Sequence, residues 1–433
     1  MKTCTYFLVV SLALISFTAS ALEKGFESLF DGKTLAGWTG ATGAGGYVVQ
    51  DGAIVCPKGG GGNLYTEKQF SDFILRFEFK LEEGSNNGVG IRAPLTGDAA
   101  YLGMEIQVLD ESAAEKGKWG KLRPEQYHGS IYDIAAARKG VLKPPGEWNI
   151  EEIYCVGRHV IVAVNKKVIV EANLNKITDT EKIAKHPGML RDRGHIGFLG
   201  HGDFVAYRNI RIKNMSKPAK DNSPPEGFIA LFNGKNLNGW KGLLAPPLDN
   251  PAKRAVLSPE HLKAAQEKAD ERMRAHWKVV NGTLEFDGKG DSLCTVRDYG
   301  DFEMLVDWKI LEKGDSGIYL RGSPQVQIWD PKQHGVGSGG FFNNEKNPSK
   351  PTTVADKPVG EWNNFRIIMV GDKVHVFLNG ELVVNNVTLE NYWERGKPIY
   401  PTGQIELQNH GNNLWFKNVY LREIPRGKTV APK

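Results

Sequence analysis

The amino-acid sequence predicts an all-β protein of two tandem two-sheet sandwiches, with one helical insertion in the second, and three observations carry that prediction. Residues 25–38 read GFESLFDGKTLAGW and residues 227–240 read GFIALFNGKNLNGW, so the same motif opens two stretches of similar length. Apolar and polar residues alternate in both stretches, with Phe73, Leu75, Phe77, Phe79 and Leu81 answered by Phe302, Met304, Val306, Trp308 and Ile310. A period of two marks half-buried strands. Many short strands between glycine-rich turns describe a sandwich. A repeat of about 200 residues is too long for a solenoid, so a whole domain has been duplicated.

Taken in order, residues 1–21 contain Lys2, an apolar run from Tyr6 to Phe17 and the small residues Ala19, Ser20 and Ala21. This is the form of a secretory signal peptide, and it predicts an exported protein, periplasmic or extracellular. The run is shorter than the about 20 residues that span a bilayer, and no other segment approaches that length, so no transmembrane segment is expected. A first domain is expected over 22–213, a polar, proline-rich linker (NMSKPAKDNSPPE) over 214–226, a second domain over 227–425 and a tail over 426–433. Val160, Val162 and Val164 lead into Asn165-Lys166 as Val374, Val376 and Leu378 lead into Asn379-Gly380, two-residue turns whose twist suits a hairpin. The second copy alone has Ser258-Pro259-Glu260 ahead of Ala264, Ala265, Ala269 and Met273. An N-cap and a first-turn proline predict a helix from about Pro259 to Ala275, the insertion at 258–275.

Composition narrows the function classes. The formal charge of +5 is mild and spread along the chain, which argues against a nucleic-acid partner. Loss of the signal segment removes Cys4 and leaves Cys56, Cys155 and Cys294, an odd, widely spaced set that reads as buried small hydrophobes rather than disulfides or a metal cluster. The glycine run at 59–62 lacks the Lys-Ser/Thr of a phosphate loop and reads as a hairpin loop, so no nucleotide cofactor is expected. Gly314-Asp-Ser-Gly317 imitates a serine-protease motif, but Asn87 replaces its serine in the first copy, and it reads as a turn leading into a strand.

On a strand, polar residues at alternate positions share the face opposite the core. Met104, Ile106 and Val108 face inward, so Glu105 and Gln107 project outward, roughly 6.6 Å apart. The preceding strand places Gly88, Gly90 and Arg92 on one face, leaving room beside a guanidinium for a sugar or carboxylate; the second copy has Gly317, Tyr319 and Arg321, followed by Gln325, Gln327 and Trp329. His128, Tyr132 and Asp133 bring an imidazole, a phenol and a carboxylate to the end of a strand, with no histidine at that point in the second copy, where Asp330 and His334 come nearest. His201 and His410 both precede glycine, which favours a shared task such as holding a turn. Trp38, Trp240, Trp148 and Trp362 recur and read as core, while Trp119, Trp329, Trp393 and Trp415 are candidates for stacking on a sugar.

In this order, GFxxLFDGKTLxGW, DFxLRFEFK, NNGVGIR, EIQVLD, HGSIYD, GEWN and YRNIRI resemble the DUF1080 family, the 3-keto-disaccharide hydrolase domain, once per copy. The resemblance implies a concanavalin-like (lectin/glucanase) jelly roll in each half. It further implies an exported carbohydrate-active hydrolase or lyase acting on glycosides oxidised at C3 by an upstream sugar 3-dehydrogenase. A C3 ketone acidifies the C2 proton, so a base removes it, the C1 substituent leaves, and water adds afterwards. This route needs a base, a stabiliser for the enolate oxygen and often a divalent metal cation. In this sequence the resemblance points to Glu105 as base or metal ligand and His128 as acid or second ligand, with Arg92, Gln107, Asp110 and Tyr132 around the substrate. In the second copy Gln325 stands in place of Glu105, which puts base catalysis there in doubt, although Arg321, Gln327, Trp329, Asp330 and His334 remain candidates for binding. The alternative is a non-catalytic tandem carbohydrate-binding protein, which a lectin-like fold serves equally well. A third reading makes the second copy the active one, through Asp330, His334 and Trp393.

Overall fold

A computed structural model describes residues 23–43, 45–216 and 220–425. The signal segment, Cys4 and the tail lie outside the described residues. In each half an eight-stranded antiparallel sheet faces a five-stranded one. The larger first sheet runs Lys167–Asn173, His159–Val164, Trp148–Val156, Phe73–Leu81, Val205–Asn214, Ala53–Cys56, Val48–Gln50, with Glu27–Ser28 also paired to Val205–Asn214. Its counterpart runs Glu381–Thr388, Lys373–Leu378, Asn363–Val370, Phe302–Ile310, Asn413–Glu423, Thr283–Asp287, Trp277–Val280, with Ile229–Ala230 in the equivalent side position. The order is the same strand for strand, as a duplicated domain requires.

The smaller sheets run Trp38–Gly40, Gly62–Phe70, Gly194–Gly200, Asn86–Ala93, Met104–Leu109 in the first half and Trp240–Gly242, Leu293–Thr295, Glu406–Leu407, Asp315–Tyr319, Gln325–Trp329 in the second. Between the sheets lie the alternating apolar residues: Phe73, Leu75, Phe77 and Phe79 pack with Met104, Ile106 and Val108, all fully buried. Trp38 and Trp240 donate their indole N–H to Leu29 O and Leu231 O, 2.7 Å in each case, so the opening motif is a duplicated staple under the core. Asn165 and Lys166 both take positive φ, as do Asn379 and Gly380, the twist that a two-residue hairpin needs. Cys56, Cys155 and Cys294 are free and buried.

The helix spans Pro259–His276, with Ser258 Oγ accepting from His261 N–H at its start. It buries Ala269 and Met273 and lies so close to Trp240–Gly242 that a Cβ on Gly242 would stand 2.3 Å from Ala269 O. Two expectations need correction. Residues 57–61 join Ala53–Cys56 to Gly62–Phe70, strands of opposite sheets, so the glycine run is a crossover and not a hairpin. Trp148 and Trp362 are half-buried on the outer face of the large sheets, Trp148 under Arg208 (3.9 Å) and Trp362 under Lys417 (4.8 Å).

The halves share packing. Ile368, Phe377 and Ile424 of the second join the first half's core cluster. Nearby, Glu303 accepts from Arg366 Nε (2.6 Å) and Arg422 Nη2 (2.5 Å), and the half-buried Arg158 from the first half lies beside them, its guanidinium lowered to about 9 by desolvation and then by Arg366.

Candidate active site

The outer face of the first half's smaller sheet forms a cleft of about 260 Å³ around Glu105. Strands Asn86–Ala93 and Met104–Leu109 pair so that Gly88 lies opposite Gln107 and Gly90 opposite Glu105. Glycine is required at the first position: a Cβ on Gly88 would stand 1.9 Å from Glu105 Oε1 and 2.7 Å from its Cδ. The carboxylate therefore lies flat over the neighbouring strand. It is 5 % exposed, and its Oε1 has no hydrogen-bond partner. A buried carboxylate oxygen without a donor is costly unless a ligand or water supplies one.

His201 follows strand Gly194–Gly200 and continues its alternation, so its ring projects over the same face. Its Nε2 stands 3.9 Å from Glu105 Oε1, an ion-pair distance longer than a hydrogen bond. The carboxylate raises the imidazole's pKa above its ordinary value, against the opposing effect of partial burial. Segment 129–132 runs along the free edge of Met104–Leu109, with Gln107 N–H donating to Ser130 O and Tyr132 N–H to Glu105 O at 2.9 Å. This brings the Tyr132 phenol to the cleft, where it accepts from Gln126 Nε2 at 3.0 Å. Gln107 completes the face, 6 % exposed, with Asn63, Asn86 and Tyr101 around it. The arrangement offers an acceptor carboxylate, a protonatable imidazole and a phenol converging on one hollow.

Glu105 and Gln107 thus stand where alternation placed them, with Tyr132 beside them, but the other expected residues do not join them. Arg92 is 1 % exposed and has φ +49°, at a bulge where strand Gly194–Gly200 shifts register between His195 and Gly197. The bulge turns its side chain inward, where Nε and Nη2 donate to Ser71 O, Nη1 to Gly157 O and Arg191 O, and Nη2 also to Asp72. Arg321 repeats this, with φ +55° and donation to Gly300 O, Gly371 O, Tyr400 O and Asp301. Both arginines tie loops together, their guanidinium groups taken up by these carbonyls and carboxylates. His128 is fully buried between the sheets, 5.1 Å from Phe79, with Nδ1 accepting from Leu109 N–H and Nε2 3.8 Å from Glu151. Burial lowers it to about 3 and raises Glu151 to about 8, so both are neutral at pH 7. Asp110 caps helix Glu111–Glu115 and accepts from Gly84 N–H (2.8 Å) and Ser112 N–H (3.0 Å).

The second copy's candidates meet the same fate. Asp330 caps Pro331–His334 as Asp110 caps its own helix. His334 stacks on Trp329 at 4.3 Å, and the buried Trp329 indole donates to Val336 O and Gly337 O. Gln327 donates to Asp315 and accepts from Gln325. Asp315, in the place of Asn86, stands 3.6 Å from His410. In each half, then, a histidine after the strand meets an acid, but the acid comes from adjacent strands in the two copies. Each histidine also precedes a glycine of positive φ, as the shared place at a turn expected for His201 and His410 requires. The signal that finds His201 is alternation carried one step past the end of strand Gly194–Gly200. Among the described residues no three of His, Cys, Asp and Glu converge, and His128 lies apart from Glu105, so these side chains do not fit a divalent-cation site.

Residues 25–213 and 227–422 each match the family model described as a 3-keto-alpha-glucoside-1,2-lyase-like domain. A 3-keto-disaccharide hydrolase of Bacteroides thetaiotaomicron is 22% identical over 256 residues, 46% of this chain and 79% of that protein. A crystallised protein of Parabacteroides distasonis is 30% identical, covering 44% of this chain and 99% of that one, with a TM-score of 0.39. A carbohydrate binding module of Bacillus subtilis is 10% identical over 41% of this chain and 98% of that one, with a TM-score of 0.28.

Proposed function

The chain belongs to the 3-keto-alpha-glucoside-1,2-lyase-like family, once in each half, and on that premise we propose that the first half cleaves 3-keto-glycosides by elimination followed by hydration. One observation carries the reading: the Glu105 carboxylate, buried in a cleft, has an oxygen without a donor and an imidazole 3.9 Å away. Glu105 takes the C2 proton, which the C3 ketone has made acidic. The electron pair forms C1=C2 as the C1–O bond breaks, and protonated His201 gives its proton to the leaving oxygen. Water then adds to C1, giving up a proton to the now neutral His201, while C2 regains the proton held by Glu105. Gln107 and the Tyr132 phenol are placed to hydrogen-bond the C3 oxygen as charge builds there.

No step is routed through a metal, because the donor set does not build a site for one. The substrate's ketone arises by oxidation at C3, so a sugar 3-dehydrogenase belongs upstream in this proposal, and residues 1–21 support an exported protein that meets its substrate outside the cytoplasm. The tandem-lectin reading predicts binding without turnover, and the description of the family and of the Bacteroides relative favours the enzyme. Glu105→Gln decides: turnover of a 3-keto-disaccharide falls by about 10² to 10⁴ with binding retained. Unchanged turnover would remove Glu105 from the mechanism.

A further inference from the structure

The second half's smaller sheet has an outer face built from different residues. Aligning His410-Gly411 with His201-Gly202 sets Gln404, Glu406 and Gln408 in the places of His195, Gly197 and Leu199. Strand pairing agrees: Glu406 lies opposite Tyr319 as Gly197 lies opposite Gly90. Two facing glycines have become a carboxylate and a phenol.

Glu406 is 3 % exposed, and its Oε1 has no hydrogen-bond partner. The Oε1 atoms of Gln325, Gln404 and Gln408 also have none. A glutamine amide can be turned end for end to present its N–H₂ instead; a carboxylate has no such escape. Burial raises Glu406 to about 7, with Arg254 and Lys241 acting against the shift and Asp249 adding to it.

Residues 243–257 precede the helix that only this half possesses. Asn250 caps the short turn Pro251–Arg254, and Arg254 Nη1 is held by Leu248 O and Asp249 O at 3.4 and 2.9 Å. Its Nη2 then stands 4.0 Å from Glu406 Oε1, too far for a direct hydrogen bond. One hydroxyl making two bonds of about 2.8 Å spans such a gap, donating to the carboxylate and accepting from the guanidinium. Beside them a cleft of about 920 Å³ is lined by Lys241, Arg254, Cys294 and Gln404. Trp393 donates its indole N–H to Gly322 O at its edge, where a Cβ on Gly322 would stand 3.4 Å from Glu406 Oε1.

We propose that this face is a second carbohydrate site, peculiar to the second half, in which a sugar hydroxyl sits between Glu406 and Arg254. The ligand is a neutral, polyhydroxylated oligosaccharide, because an array of acceptors calls for donors and an anion would meet Glu406, Asp249 and Asp270. The site rests on the carbohydrate reading above but not on catalysis at Glu105.

A microarray of neutral and acidic oligosaccharides, probed with the full chain, tests it. Wild type and Glu105→Gln should capture the same neutral glycans, and Glu406→Gln and Arg254→Ala should each weaken capture about 10-fold or more. Circular dichroism checks folding, and should Glu406→Gln fail to fold, Arg254→Ala decides alone. Capture of no glycan, of acidic glycans only, or equal capture by wild type and both variants overturns the proposal. Turnover lost in Glu105→Gln with capture unchanged in Glu406→Gln would uphold the first site and reject this one; the reverse pattern would reject only the first.

Discussion

Gly88→Ala tests the cleft without removing a single functional group. The added Cβ would stand 1.9 Å from Glu105 Oε1, 2.7 Å from Cδ and 2.8 Å from Cγ, against the 3.4 Å or more of ordinary contact. Gly88 lies on a strand outside the left-handed region, so the backbone accepts alanine, and the Glu105 side chain, attached through a flexible stem, is what moves. A displacement on the order of 1 Å or more at a reacting group costs about 10²-fold in rate. Gly90→Ala is the control on the same strand: its Cβ would meet Leu199 Cδ2 at 3.4 Å and Ala93 Cβ at 3.5 Å, and leaves Glu105 alone. Steady-state kinetics on a 3-keto-disaccharide should show kcat/KM down about 100-fold for Gly88→Ala and nearly unchanged for Gly90→Ala, with similar melting temperatures. Equal kinetics in the two variants would refute the placement of Glu105 at the reacting carbon.

His201 should titrate above the ordinary histidine value because Glu105 favours its cation; NMR should show that midpoint fall in Glu105→Gln, and kcat should decline as pH rises through it. A raised midpoint also means that the pair's contribution to stability is full below the unfolded-state value and lost as pH rises through the folded one. His128 and Glu151 make the opposite case of a buried neutral pair, replaced in the second half by Ser338 and Phe365. With His128 at about 3 and Glu151 at about 8, the two contributions cancel between pH 4.5 and 6.5, and stability should fall as pH drops from 4.5 toward 3 and again as it climbs from 6.5 toward 8. The double variant His128→Ser with Glu151→Phe should flatten thermal-melt profiles on both sides; profiles that still track wild type would refute neutral burial. Glu303→Gln removes the charge that Arg366 and Arg422 share at the junction of the halves, and urea unfolding should show a loss of about 3–5 kcal/mol.

Local rules made much of this molecule legible. The repeat needed only a comparison of residues 25–38 with 227–240, the core strands only the alternation of Phe73 to Leu81, and the helix only Ser258-Pro259 ahead of an amphipathic run. Glu105 and Gln107 followed from the same period of two, and Tyr132 from its place in the HGSIYD motif. Where that period breaks, inference from spacing breaks with it. Arg92 carries positive φ at a bulge, so its side chain crosses from the outer face to the interior, and Arg321 does the same in the second half. Trp148 and Trp362 recur as core residues would, yet recurrence records only a shared position, which here is the outer face of each large sheet under lysine and arginine side chains.

The sequence by itself determined the architecture: two β-sandwiches, their strands, their tight turns and the inserted helix, because each depends on hydrophobic period and on backbone preferences within a few residues. Only the tertiary structure decided which polar groups meet. His128 and Glu151 are neutral because two sheets close over them, His201 faces Glu105 because strand Gly194–Gly200 runs beside Asn86–Ala93, and Glu406 meets Arg254 because residues 243–257 lie against a strand about 150 positions away. Charge, burial and reach are set by neighbours across the fold, and a residue's neighbours along the chain carry no record of them.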